Sequence, residues 1–165
     1  MSSQEKNLSE YKSREVADAS DMKIGILVSE WNQDITFNLL NGAKSTLLKH
    51  GLLEENLLIE QVPGSYELVI GAQLMLENTS LDAVICLGCV IQGETKHFDF
   101  VCDAVSQGIK DVSLKYNKPV VFGVLTDNNK QQSIDRSGGI LGNKGDEAAI
   151  TAIQMVELQK RLRNR

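Results

Sequence analysis

Residues 88–99 combine the residue types that could do chemistry on an anionic substrate. An apolar run ends in a glycine-bounded polar turn, and His97 opens the helix predicted to follow. Backbone N–H groups at a helix start favour an anion, and the same positive end disfavours a protonated imidazole. His97 could therefore stay neutral and accept a proton near pH 7, or it could simply be a structural cap. Thr95 could cap this helix, contact a phosphate, or do both.

Three further groups of polar or aromatic residues follow other predicted strands or a short helix. Trp31, the single tryptophan, could stack on a planar heterocycle or cap the core. Glu67, just after a Pro-Gly turn, could bind hydroxyl groups of a sugar-like chain, although a carboxylate is favourable in any first helical turn. Arg136 and Lys144 flank a glycine-rich loop, where they could clamp a phosphate or be two solvated charges.

Alternating strand and helix patterns position these groups. Strands are predicted over residues 23–29, 57–62, 83–91 and 120–126, and helices over residues 36–50, 66–77, 97–116, 129–136 and 143–162. A loop is predicted over residues 138–142. Because each strand is followed by a helix, the pattern predicts an α/β three-layer sandwich, with a four-stranded parallel sheet and helices on both faces.

The position of Phe122 does not fit the usual place for a ligand in such a sheet. Ligands of open α/β sheets bind outside the carboxyl ends of the strands. Phe122 lies inside the fourth predicted strand, before its carboxyl end. If Phe122 belongs to a site, we expect that site to borrow it from a neighbouring subunit.

Length and composition indicate one folded domain. The 165 residues are 42% hydrophobic and 24% charged, with a net charge of −5 and no basic stripe interleaved with aromatics. This balance argues against a nucleic-acid partner. Residues 1–21 are polar and aperiodic, which predicts a flexible N-terminal arm before a single domain over residues 22–165. We find no apolar run long enough for a membrane span and no signal-peptide core, so we expect a cytoplasmic protein.

The cysteines allow a redox or metal-binding interpretation, but the sequence favours buried thiols without a chemical role. Cys86 and Cys89 are three residues apart inside a predicted strand, where they would face opposite sides of the sheet. No second cysteine pair accompanies them to complete a zinc site. We therefore expect buried, inert thiols in a reducing compartment.

Taken together, five segments resemble the lumazine synthase family of riboflavin biosynthesis. They are Trp31-Asn32, residues 62–68, residues 88–99, residues 119–126, and Arg136 with Asn143-Lys144-Gly145. The resemblance implies a flavodoxin-like fold and a transferase that needs no metal or organic cofactor. Its small-molecule substrates would be 5-amino-6-(D-ribitylamino)uracil and 3,4-dihydroxy-2-butanone 4-phosphate. The products would be 6,7-dimethyl-8-ribityllumazine, phosphate and water.

The resemblance also implies a role for each matching position. Residues that would bind the pyrimidine and its ribityl chain are Trp31, Ser65, Tyr66, Glu67, Val90 and Ile91. Residues that would bind the phosphate are Glu94, Thr95 and Arg136, and those that would reach in from the adjacent subunit are Phe122 and Lys144. His97 looks like the catalytic residue of the family, which moves protons during imine formation and phosphate elimination.

Three positions depart from the commonest family pattern. Trp31 replaces a phenylalanine, which should preserve stacking over a larger area. Ser65 often corresponds to alanine and adds a hydroxyl group. Glu94 brings a carboxylate beside the proposed phosphate, where backbone N–H groups could still bind if its side chain points to solvent.

The resemblance implies a homo-oligomer with active sites between subunits. The short loop before Lys144 and the arm without proline are similar to members that build shells. We predict at least a pentamer, and twelve pentamers as a 60-subunit icosahedral shell. An archaeal-type riboflavin synthase and a non-catalytic flavin- or lumazine-binding shell protein are the alternatives, and the residue 93–97 turn with Phe122 and Arg136 favours the synthase.

Overall fold

Four parallel strands form the central sheet of the structure, a computed structural model that describes residues 16–164. The strands are β1 (Ile24–Ser29), β2 (Leu57–Val62), β3 (Ala83–Ile91) and β4 (Val120–Asp127), in the order β2-β1-β3-β4. This is a flavodoxin-like order, in which strand succession reverses between β1 and β3. The predicted sheet is confirmed, and its ligand crevice is expected beyond the carboxyl ends of β1 and β3.

Helices cover both faces of the sheet, as predicted. They are α1 (Gln33–Lys49), α2 (Leu68–Asn78), α3 (His97–Tyr116), α4 (Lys130–Arg136) and α5 (Lys144–Arg163). One apolar cluster joins α1 and α5 to the sheet, and a second joins α2 and α3 to the opposite face. Helix α2 begins two residues later than predicted, because the N–H groups of Leu68 and Val69 make tight turn bonds to carbonyls three residues back.

Two short strands replace the predicted loop before α5. Strands β5 (Ser137–Gly139) and β6 (Gly142–Asn143) form an antiparallel hairpin, with positive φ at Gly138 and Gly142. The Asn143 side chain accepts the Gly145 N–H at 2.8 Å and donates to the Asn38 carbonyl at 2.8 Å. Asn143 therefore caps α5 and fixes the hairpin to α1.

Replacing Asn143 with alanine is expected to lower the free energy of unfolding by about 1–2 kcal/mol. The change removes the α5 cap and the bond to α1 together. Urea denaturation followed by circular dichroism measures it. Asn78→Ala is the matched control, because Asn78 bonds only to its own helix through the Leu74 carbonyl. Equal midpoints for the two variants would contradict the role of Asn143.

Residues 16–21 pack against the body of the protein. Val16 and Ala19 are buried in the α1–α5 cluster, and the Ala19 N–H donates to the His50 carbonyl at 2.8 Å. These six residues belong to the arm predicted over residues 1–21, whose first fifteen residues lie outside the described part. The boundary between arm and domain at Met22 stays a prediction. Within residues 16–164, no helix is long and apolar enough to cross a membrane.

Candidate active site

A cavity of about 660 Å³ opens where β1, β2 and β3 end, at the carboxyl edge of the sheet. Eight of the predicted site residues line it: Trp31, Ser65, Tyr66, Glu67, Val90, Ile91, Thr95 and His97. Parallel strands bring the loops that follow them to one edge, so residues distant in sequence meet there. We call this the first cavity.

The loop after β1 holds Trp31 in a fixed backbone position with an exposed indole. The backbone N–H of Trp31 donates to the Pro63 carbonyl at 3.1 Å, and this bond joins the loop to the one after β2. Asn32 adopts a left-handed conformation with φ 60°, and its Nδ2 donates to the Cys89 carbonyl at 3.1 Å. Asparagine tolerates this conformation better than most residues. Since Trp31 is 70% exposed, the structure excludes the alternative that it caps the core.

The turn between β2 and α2 places a buried hydroxyl group beside the first cavity. Ser65 is buried, and within the described residues its Oγ has no hydrogen-bond partner. A Cβ on Gly88 would lie only 2.7 Å from that Oγ, so the glycine allows β3 to approach the turn. Glu67 is the half-buried residue just before α2, where the helix N-terminus favours a carboxylate.

The turn between β3 and α3 presents His97 to solvent. His97 is the first residue of α3, and its backbone N–H lies 3.4 Å from Thr95 Oγ1. Thr95 and His97 both line the first cavity, whereas the exposed Glu94 does not. The structure thus places Glu94 outside the group of predicted site residues that line the first cavity.

The two strand cysteines lie on opposite faces of the sheet. Cys86 packs among α2 and α3, and Cys89 packs among α1 and α5. Burial raises the pKa of the Cys86 thiol to about 12, and burial likewise raises the pKa of the Cys89 thiol. Both thiols are thus protonated at neutral pH, which disfavours nucleophilic chemistry. Because they lie on opposite faces of the sheet, they do not form a redox pair. Within residues 16–164, no group of three or more His, Cys, Asp or Glu side chains could hold a metal ion.

A second cavity of about 520 Å³ runs along β4, the edge strand of the sheet. It is lined by residues of α3, β4, α4 and α5, and includes Phe122, Arg136 and Lys144. Phe122 is 42% exposed, so a large aromatic ring faces out of this groove. The structure therefore separates these three predicted site residues from the eight of the first cavity.

Acidic partners hold both cations of the second cavity. Arg136 Nε lies 3.7 Å from Asp127 Oδ1, and Arg136 Nη1 donates to the Gln132 carbonyl at 2.9 Å. Lys144 Nζ donates to Glu147 Oε1 at 2.5 Å. Both carboxylates are nearly buried, so each cation is oriented rather than freely solvated. Arg136 and Lys144 are therefore paired with carboxylates rather than two solvated charges.

Sequence reasoning missed several residues that line the two cavities. Phe98 and Phe100 line the first cavity from the start of α3, outside the stripe that α3 buries in the core. Asp127 and Glu147 line the second. Asp127 could have been found because it ends a strand at the carboxyl edge, and Glu147 because it lies one helical turn after Lys144.

Comparisons with known proteins agree on one family. The sequence model of 6,7-dimethyl-8-ribityllumazine synthase matches residues 21–160. The protein of that name from Cytophaga hutchinsonii is 58% identical over 156 residues, which are 94% of this chain and 98% of the relative. The one from Parabacteroides distasonis is 57% identical over 91% of this chain and 94% of the relative. The one from Flavobacterium johnsoniae is 54% identical over 97% of this chain and 84% of the relative.

The fold and the sequence similarity lead to the same assignment. The flavodoxin-like sheet carries the five resembling segments at its carboxyl edge and along β4. Relatives more than half identical cover nearly the whole chain. The chain therefore belongs to the 6,7-dimethyl-8-ribityllumazine synthase family.

Proposed function

We propose that this chain condenses 5-amino-6-(D-ribitylamino)uracil with 3,4-dihydroxy-2-butanone 4-phosphate at a site completed by two protomers. The products are 6,7-dimethyl-8-ribityllumazine, phosphate and water. One observation carries the proposal: the family-matching residues fall into two separate open cavities. The first offers an aromatic surface and a histidine, and the second offers two cations and an aromatic ring. Each protomer thus contributes complementary halves to two different sites.

The first cavity suits the pyrimidine and its ribityl chain. The exposed indole of Trp31 presents an apolar face on which a planar heterocycle can stack. The Ser65 hydroxyl and the Glu67 carboxylate supply polar groups for the ribityl hydroxyls. The backbone groups of Val90 and Ile91, at the end of β3, supply hydrogen bonds for the ring edge. Tyr66 completes the rim of this binding surface.

Proton transfer is assigned to His97. Attack of the pyrimidine amine on the ketone gives an imine and releases water, and loss of a carbon-bound proton then expels phosphate. The ribityl-bearing nitrogen closes the second ring on the remaining carbonyl, with release of a second water. An imidazole can move protons in imine formation and in phosphate elimination. The remaining acceleration comes from holding two substrates against one another.

The phosphate is assigned to the start of α3 together with Arg136 and Lys144. The backbone at Glu94 and Thr95 and the Thr95 hydroxyl offer neutral donors at a helix N-terminus. The two cations come from the second cavity of the neighbouring protomer, where Phe122 also reaches the pyrimidine. Cations fixed in place can stabilise the charge of the departing phosphate.

The edge of β4 supports assembly into a ring. An unpaired strand edge exposes backbone donors and acceptors, and proteins usually cover such an edge. Here the second cavity leaves that edge open, with Phe122 protruding beside it. We propose a pentamer, and a 60-subunit shell of twelve pentamers, to be checked by sedimentation velocity and electron microscopy. A monomeric mass would contradict the shared site.

The free thiols of the described residues support the proposed cytoplasmic location.

Absorbance of the product tests the reaction itself. Purified protein supplied with both substrates should form lumazine faster than the uncatalysed background. Riboflavin formed from the lumazine product alone would instead support the riboflavin synthase alternative. Lack of turnover with either set of substrates would support the binding-protein alternative.

Mixing two impaired variants, assayed at a butanone phosphate concentration far below the raised KM of Arg136→Ala, tests the shared site. His97→Ala and Arg136→Ala protomers, unfolded together and reassembled in equal amounts, should recover about a quarter of parental activity, since random neighbours complete one site in four. Each variant reassembled alone is the control. If both residues served one site within a protomer, mixing would restore nothing.

Substituting Trp31 tests the stacking surface. Trp31→Ala should raise the KM for the pyrimidine roughly tenfold, because stacking of a base on an aromatic side chain contributes about 1–3 kcal/mol. Trp31→Phe retains an aromatic ring and should stay within about threefold of the parent. The KM for the phosphate substrate should be unaffected in both. Equal effects of the two substitutions would rule out stacking as the role of Trp31.

A further inference from the structure

A buried chain of polar groups runs from the first cavity to the second. Cys89 Sγ lies 3.4 Å from Ser133 Oγ, and Ser133 Oγ donates to Asp127 Oδ2 at 2.8 Å. The other carboxylate oxygen, Asp127 Oδ1, faces Arg136 Nε at 3.7 Å. Ser133 is fully buried and Asp127 is nearly so. The carboxylate is therefore held from one side and faces the guanidinium on the other.

Two fixed acceptors orient the Arg136 guanidinium. Asp127 lies against its Nε edge, and the Gln132 carbonyl accepts from Nη1 at 2.9 Å. A guanidinium has five N–H donors in a rigid plane, so these two contacts fix the plane and leave the Nη2 donors for a ligand. Asp127, Arg136 and Lys144 all line the second cavity. The donors of Arg136 can therefore be presented to an anion there in a set direction.

We propose that Asp127, held by Ser133, is the positioning residue that aims Arg136 at the substrate phosphate. The proposal rests on the phosphate-binding role proposed for Arg136. Without Asp127, the arginine keeps its charge but loses the partner that fixes its plane, and bidentate geometry toward phosphate is lost. Ser133 acts one step further back, by fixing the carboxylate.

Asp127 could instead compete with the phosphate for Arg136. In that case, removing Asp127 would strengthen phosphate binding rather than weaken it. A carboxylate beside an arginine partly cancels its charge and competes with phosphate for its donors. If competition dominated, any neutral residue at position 127 would tighten phosphate binding. If positioning dominates, alanine weakens phosphate binding while asparagine largely preserves it, because its amide oxygen can still face Arg136.

The test uses the assembled enzyme and two substitutions at one position. Asp127→Ala should raise the KM for the butanone phosphate roughly tenfold, with kcat and the pyrimidine KM within about twofold of the parent. Asp127→Asn should recover most of this loss, to within about threefold. Asp135→Ala is the matched control. It removes the same charge one residue from Arg136, and the Asp135 carboxylate bonds to Gln131 in its own helix.

Calorimetric titration with inorganic phosphate gives a readout independent of turnover. Asp127→Ala should weaken this binding by a similar factor, and Ser133→Ala by about two- to threefold. Ser133→Ala also carries the test if Asp127→Ala fails to fold. Tighter phosphate binding in both Asp127 variants, or no change in any of the three, would overturn the proposal.

Arg136→Ala separates failure of this inference from failure of the proposed function. If Arg136→Ala weakens phosphate binding but Asp127→Ala does not, Arg136 binds phosphate without help from Asp127. If Arg136→Ala itself leaves phosphate binding unchanged, the role proposed for Arg136 is wrong.

Discussion

Replacing His97 with alanine is expected to lower turnover at least tenfold, and up to about a thousandfold, with the assembly intact. The imidazole is the proton carrier that we assign to imine formation and phosphate elimination. His97 is exposed at the start of α3, so its loss leaves no cavity in the core. Steady-state kinetics at saturating concentrations of both substrates measures the effect, and sedimentation velocity checks the assembly.

His50 provides a matched control for the loss of an imidazole. It is the other histidine of the chain and lies half-buried at the end of α1, outside both cavities. Burial, with a smaller effect of Lys49, lowers the pKa of His50. His50→Ala should keep turnover within about twofold of the parent. Similar losses in the two variants would contradict the catalytic role of His97.

Replacing Arg136 with alanine is expected to raise the KM for the butanone phosphate by about ten- to a hundredfold. The KM for the pyrimidine should remain within about twofold, because Arg136 is assigned to the phosphate and not to the pyrimidine. Arg136→Lys keeps the charge without the planar donor pair and should give an intermediate KM. Initial rates with each substrate varied in turn measure the separation.

Arg161→Ala is the control for the loss of a positive charge. Arg161 is exposed near the end of α5, outside both cavities. Its removal should change neither KM beyond about twofold. Equal losses against both substrates in Arg136→Ala would count against a phosphate-specific role.

Hydrophobic periodicity predicted the four strands because burial governs their composition. The residues of β3 from Ala83 to Cys89 are buried, and this run is almost continuously apolar. The hairpin of β5 and β6 gives no such signal, because it is short and glycine-rich and only Ser137 of its strands is buried. Its pairing depends on turn geometry at Gly138 and Gly142, and on the contact from Asn143 to α1. Local composition does not encode that distant contact.

The rule that ligands bind at the carboxyl ends of strands predicted much of the first cavity. It placed Trp31 and His97 near one another because their loops follow β1 and β3. It could not predict that Arg136 lines a different cavity from Thr95, since that depends on how α4 turns back along the edge of β4. Nor could it predict that the exposed Glu94 does not line the first cavity, because the backbone of the turn between β3 and α3 sets its position.

Helix α1 links two segments that carry residues of the two cavities. It begins just after Trp31, and its Asn38 carbonyl accepts from Asn143, the residue that precedes Lys144. Its seventeen residues span about 25 Å at 1.5 Å per residue. We therefore expect that unfolding of α1 disturbs both the loop that carries Trp31 and the segment that carries Lys144. Because these two segments belong to two different sites of the proposed assembly, loss of α1 in one protomer should impair two neighbouring sites at once.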